Sequence, residues 1–203
     1  MVSSNLDHFL TCNGQFVETF GSRKDLQAAP RRKCVFYFII SLILHLNVHY
    51  RNGRPTAILN LCCRAFILTC IDARLVPYDA LGLEVGDCHL FRNAGGRLSD
   101  DAIRSFTMTQ QLMGTKEVFI MHHTKCGVEA ITHEELVDVF KKNVGQDASN
   151  VDFKLCKDAR ESVKDDVEAF KACPLVNPGT TFTGLMYDVD TGRVDVVCPS
   201  SSN

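Results

Sequence analysis

The chain has 203 residues, a formal net charge of -2 and 45% hydrophobic residues, enough to bury the core of one α/β domain. That charge supplies no basic field for nucleic acid and no acidic tail. Ten cysteines are scattered without a CxxC pair, and the first residues lack the regions of a secretory signal, so reduced thiols in the cytoplasm are expected.

Leu6, Phe9, Leu10, Phe16, Val17 and Phe20 recur at helical spacing, with Ser4 or Asn5 to cap and Gly21 to stop. This predicts an amphipathic helix outside the sheet, whose apolar face can cover its own domain or reach a partner subunit. Cys34 to Val48 is then almost wholly apolar, and a polar tract runs on through Arg64. A membrane span needs about 20 apolar residues. This run is shorter and carries His45 and Asn47, so no membrane association is expected. Removing 34–64 would join Lys33 smoothly to the strand that starts at Ala65. The stretch is therefore read as an apolar insertion foreign to the domain, such as a translated intron, with a genuine surface insertion as the alternative.

Ala65–Thr69 and Glu117–Met121 read as buried strands of a parallel sheet. Between them, Pro77 opens a short helical turn that Gly82 closes. Cys88–Phe91 is a further strand, and Ser99 caps a helix carrying Ile103, Phe106, Leu112 and Met113 that Gly114 ends. Thr132 and Glu135 form a capping box for a helix with Leu136, Val139 and Phe140. A helix around 160–171 turns Val163, Val167 and Phe170 inward. Thr181–Asp188 and Arg193–Val197, joined through Asp190-Thr-Gly192, predict a terminal hairpin. The expected fold is one α/β domain over 1–203, a mainly parallel sheet with helices on both faces.

Each buried strand is followed directly by a chemical cluster: Cys70-Ile-Asp72-Ala-Arg74 after the first, His123-Thr-Lys-Cys126 after the second. Both clusters sit at strand carboxyl ends, where open α/β sheets hold ligands. Two thiols and one imidazole make a soft set that suits zinc, and three protein ligands leave a fourth position, the mark of a catalytic site. His122, on the opposite side of its strand end, should point away from the ligands, as a packing residue or an outer support of the site. His89 and His133 are read as a strand residue and a helix-start residue rather than proton carriers. Gly95-Gly96 lacks the wider spacing of a dinucleotide fingerprint, so no nucleotide cofactor is expected.

Cys-x-Asp-x-Arg at one strand end and His-x-x-Cys-Gly at another resemble the β-class carbonic anhydrases. Arg92-Asn-Ala-Gly-Gly96 and Gly184-Leu-Met-Tyr-Asp-Val-Asp-Thr-Gly192 extend the likeness across nearly the whole chain outside 34–64. The His-His-Thr-x-Cys-Gly form resembles the branch that also includes carbonyl sulfide hydrolases. The resemblance implies one zinc per subunit on Cys70, His123 and Cys126, with Asp72 and Arg74 as a catalytic dyad. It also implies a homodimer or homotetramer whose amino-terminal helix wraps the neighbour.

Asp72 can bind the metal or accept a hydrogen bond from a zinc-bound water or hydroxide, and Arg74 can hold that carboxylate away from the ion. The expected reaction is hydration of carbon dioxide to bicarbonate by zinc-bound hydroxide. Hydrolysis of carbonyl sulfide or carbon disulfide at the same site is one alternative, and a non-catalytic zinc-bearing homologue disrupted by 34–64 is another. Lys125 departs from the small or acidic residue more usual between the ligands.

Overall fold

The computed structural model describes residues 4–21, 50–51, 54–55, 65–83 and 85–203. Five α-helices and seven strands lie among the described residues. Helix α1 (Ser4–Thr19) is followed by two short paired strands, β1 (Tyr50–Arg51) and β2 (Arg54–Pro55). The apolar stretch 34–48 and the remainder of the polar tract through Arg64 lie outside the described residues. Then come β3 (Ala65–Cys70), α2 (Pro77–Leu81), β4 (Cys88–Asn93), α3 (Asp100–Met113), β5 (Glu117–His123), α4 (His133–Val144), α5 (Ala159–Lys171), β6 (Thr181–Tyr187) and β7 (Val194–Ser202).

The main sheet has the order β4-β3-β5-β6-β7, parallel except for the last pair. All six residues of β3 are buried, as a strand covered on both faces requires. Alternate side chains divide between two cores. Ala65, Ile67, Phe119, Met121, Leu185 and Tyr187 face α1 and α2, whereas Phe66, Leu68, Val118, Ile120, Phe182 and Met186 face α3 and α5. No helix among the described residues is long and apolar enough to cross a membrane, and the described cysteines are free thiols.

The local signals act as read. Ser99 accepts a hydrogen bond from Ala102 N, and Thr132 and Glu135 close a capping box. Gly82 and Gly114 end their helices in the left-handed region, where a Cβ would be strained. The hairpin strand β7 is longer than its sequence pattern suggested. It runs on through Pro199 to Ser202, because among the described strands it pairs with β6 alone and its outer edge needs no donor there.

Two apolar assignments differ. Leu112 is 71% exposed and Met113 also faces outward; α3 buries Ala102, Phe106 and Gln110 instead. Gln110 is drawn inward because its amide donates to Thr180 Oγ1 at 2.8 Å while its carbonyl accepts from Asn177 N at 2.8 Å. No residue of α4 is fully buried; Phe140 stacks on Phe153 over the surface of the domain.

Helix α1 packs on its own chain rather than extending away from it. Phe9 lies against Phe119 with ring centroids 4.8 Å apart. Asn13 Nδ2 donates to Ala80 O at 3.1 Å and Gly192 O at 2.8 Å, and Val194 N donates to Asn13 Oδ1 at 2.7 Å. These bonds fasten α1 to both α2 and the β6–β7 turn. Phe9→Ala would open a cavity in this layer and lower unfolding stability by about 3–5 kcal/mol. Urea unfolding checks this, and a loss below about 1 kcal/mol would show α1 to be loosely attached.

Candidate metal centre

β3 and β5 run side by side with Thr69 opposite Met121, so their last residues emerge at the same edge of the sheet. Cys70 ends β3, His123 ends β5, and Cys126 follows in the next turn; all three are buried. One ring nitrogen of His123 and the two sulfurs lie within 4.8 Å of one another. His123 Nδ1 lies 2.9 Å from Thr124 O, and a carbonyl can only accept, which assigns the hydrogen to Nδ1. The other nitrogen, Nε2, is buried with no hydrogen-bond partner.

That orphaned nitrogen is an observation a metal would explain, since buried polar atoms are ordinarily paired. The sulfur spacing fits as well. Two Zn–S bonds of about 2.3 Å at a tetrahedral angle separate the sulfurs by about 3.8 Å, and Cys70 Sγ and Cys126 Sγ stand 3.9 Å apart. The two sulfurs are within hydrogen-bond reach of each other, and either can donate. The hydrogen bond from Cys126 brings the Cys70 thiol down to about 4 against the opposing effect of burial, helped by His123 and the Asp72 amide. The same bond pushes the Cys126 thiol up. The surroundings therefore favour the thiolate at Cys70 over Cys126.

Asp72 stands beside this cluster with both oxygens on Arg74. Arg74 Nε donates to Oδ1 at 2.9 Å, Nη2 to Oδ2 at 2.7 Å, and the Arg74 backbone N–H to Oδ1 at 2.9 Å. Burial opposes ionisation of this carboxyl, but the Arg74 bonds outweigh it and hold Asp72 below the usual carboxylate range. Oδ2 remains 3.9 Å from His123 Nε2. The structure therefore brings Cys70, His123 and Cys126 together and turns Asp72 toward Arg74.

Arg74 Nη2 also donates to Lys125 O at 3.0 Å, an arrangement reached with Lys125 at φ 55°. The Lys125 ammonium points outward, 2.6 Å from Asp190 Oδ2 on the surface.

Two supports have no assigned role in the sequence reading. Arg92, at the end of β4, donates from Nε to Cys70 O and from Nη2 to Asp72 O, both at 2.8 Å, fixing the turn between them. Gly96, at φ 68°, lies so close to β3 that a Cβ there would stand 2.9 Å from Cys70 N. The Arg92-Asn-Ala-Gly-Gly run was the available signal for both. His122 faces away from the sulfurs, as expected: its Nε2 donates to Gly96 O at 3.0 Å, and Nδ1 is 2.9 Å from Ser162 Oγ. His133 lies at the start of α4 beside Ser149 O, and His89 is in β4.

Asp166 of α5 accepts from Arg97 Nε at 2.7 Å and Nη2 at 3.1 Å. Burial works against its ionisation, yet hydrogen bonds from His122 and Arg97 and the Arg97 charge leave it below the ordinary value of 3.8. A depressed carboxyl contributes stability that is complete above its unfolded value and lost as pH falls through its folded one. Asp166→Asn is therefore expected to be less stable than the parent at pH 7, with the gap closing below about pH 4. Urea midpoints across that range check this; a gap of constant size down to about pH 2 would contradict it.

A mainly parallel sheet with a buried S₂N cluster at its carboxyl edge makes this an α/β protein whose donor set suits zinc. The family described as carbonic anhydrase matches residues 65–194. β-Carbonic anhydrase 1 of Mycobacterium tuberculosis is 36% identical over 137 residues, covering 66% of this chain and 81% of its own. Carbon disulfide hydrolase of Saccharolobus solfataricus is 33% identical over 154 residues, covering 64% and 76%. The crystal structure of carbonic anhydrase from Streptococcus mutans superposes with a TM-score of 0.66 at 35% identity, covering 97% of this chain and 99% of that one. The chain belongs to the β-carbonic anhydrase family.

Proposed function

We propose that this protein is a zinc-dependent carbonic anhydrase that interconverts carbon dioxide with bicarbonate and a proton. Cys70, His123 and Cys126 would hold the ion, and Asp72 and Arg74 would form the catalytic pair. Zinc, when bound, supplies Lewis-acid activation of water near neutral pH.

The observation that carries the reading is the state of Asp72. Its two oxygens accept from Arg74 at 2.9 and 2.7 Å, which keeps the carboxylate off the cluster while leaving it beside the cluster's edge. Held ionised by Arg74, Asp72 can accept a hydrogen bond from water there. Two thiolates offset much of a dication's charge and so acidify water less than three imidazoles would. Asp72 would orient that water or hydroxide by accepting its hydrogen bond, and the Arg74 guanidinium would offset the added negative charge. Arg74→Ala is expected to lower hydration by about a hundredfold or more while the protein still takes up one zinc. Metal analysis beside stopped-flow hydration tests this, and near-normal turnover in the variant would refute the dyad role.

A second reading has specific support. The Saccharolobus solfataricus protein, named a carbon disulfide hydrolase, is 33% identical, and carbon disulfide and carbonyl sulfide are also small linear electrophiles. Hydration and hydrogen sulfide release, measured side by side with and without residues 34–64, separate the readings. Hydration far exceeding sulfide release is the expected result. The reverse order would assign the hydrolase activity, and full zinc with neither activity in either form would indicate a non-catalytic homologue.

We further infer a cytoplasmic homodimer or homotetramer. Ile71, between Cys70 and Asp72, is 60% exposed and accessible to a second subunit at the lip of the site.

A further inference from the structure

Cys70 and His123 arrive on different strands, and a tetrahedral ion tolerates only about 0.5 Å of misplacement. Behind the cluster, on the α5 side of the sheet, lies a buried polar group with no part in the reaction just described. Asp166 Oδ2 accepts from Arg97 Nε at 2.7 Å and from Leu98 N at 3.2 Å, and it stands 3.4 Å from His122 Nε2. Arg97 Nη1 donates onward to Lys154 O at 2.8 Å. The side chains of His122, Asp166 and Arg97 are 2%, 8% and 12% exposed.

The group touches both ligand-bearing strands. His122 is the residue before His123, and its Nε2 donates to Gly96 O at 3.0 Å. Gly96 in turn sits against the backbone of Thr69 and Cys70 with no room for a methyl group. Leu98 and Arg97, just beyond Gly96, are held by Asp166. The end of β5 and the turn that backs the end of β3 are thus both referred to one carboxylate on α5.

We propose that Asp166, acting through His122 and Arg97, is a positioning residue that sets the spacing between Cys70 and His123. This rests on the zinc reading above. A buried ion pair is weak evidence for stability, because desolvation offsets much of its attraction. Fixing two ligands from separate strands is a role that the observed contacts do fit. Outer partners of metal ligands commonly govern affinity by 10–100-fold.

The test compares wild type, Asp166→Asn, His122→Leu and His122→Gln. Zinc affinity is read by chelator competition, and exchange of the Ile71 amide is read in the metal-free protein. That amide donates to Asn93 O at 3.0 Å and touches none of the substituted side chains. Asp166→Asn and His122→Leu are expected to weaken zinc binding by about 10–100-fold and to speed Ile71 exchange. His122→Gln keeps a donor for Gly96 O and should retain near-parental affinity.

A purely structural role would lower the melting temperature of all three variants without separating His122→Gln from His122→Leu in zinc affinity. That result would overturn the proposal, as would parental affinity in His122→Leu or Asp166→Asn. Should Asp166→Asn fail to fold, the two His122 variants decide. Faster Ile71 exchange in a protein that takes up no zinc in any form would sustain the coupling and defeat the zinc reading instead.

Discussion

The parallel pairing of β3 with β5 is the constraint on which the rest of the structure depends. Thr69 stands opposite Met121, and its hydroxyl donates to Met121 O at 2.7 Å across the sheet, closing the register at the edge where the site begins. Side chains alternate between faces, so a slip of one residue would carry the Cys70 sulfur to the α3 and α5 side, away from Cys126. Phe66, Leu68, Val118 and Ile120 prevent that slip by filling one core while Ile67, Phe119 and Met121 fill the other.

Two arginine–aspartate pairs then frame the cluster from opposite sides of the sheet edge. Arg74 holds Asp72 on the cluster side, and Arg97 holds Asp166 on the α5 side. Each guanidinium also donates to the backbone carbonyl of a lysine in the left-handed region: Arg74 to Lys125 O and Arg97 to Lys154 O. Such a conformation is unfavourable for a residue with a Cβ and persists where surrounding contacts determine it. In both cases the strained residue completes the coordination of a cation whose main partner is a buried carboxylate. Both charged pairs flanking the site are thereby held by more than one partner.

Much of this was legible in the letters, because much of it is local. Cys70, Asp72 and Arg74 lie within one turn, and Asp72 with Arg74 needs only a short chain reversal to make its fork. The caps at Ser99 and Thr132 are contained in their own first turns. Cys126 and His123 share a turn as well, and their meeting with Cys70 followed from reading both preceding runs as parallel strands. What escaped is what depends on distant partners. Asp166 meets Arg97 across sixty-nine residues of chain, and no pattern near either one announces it. Leu112 resembles a core residue by spacing but is exposed, since Gln110 takes the inward place through a bond to Thr180. The amino-terminal helix was rightly placed, yet which surface it would cover depended on Asn13 finding Ala80 and Gly192.

If a pair of sulfurs and a ring nitrogen grip one zinc ion, X-ray absorption at the zinc edge of the reconstituted protein will see them directly. One zinc per chain is expected, with two sulfur neighbours at about 2.3 Å and one imidazole nitrogen at about 2.0–2.1 Å. A first shell without sulfur, or no zinc retained after reconstitution under reducing conditions, would contradict it.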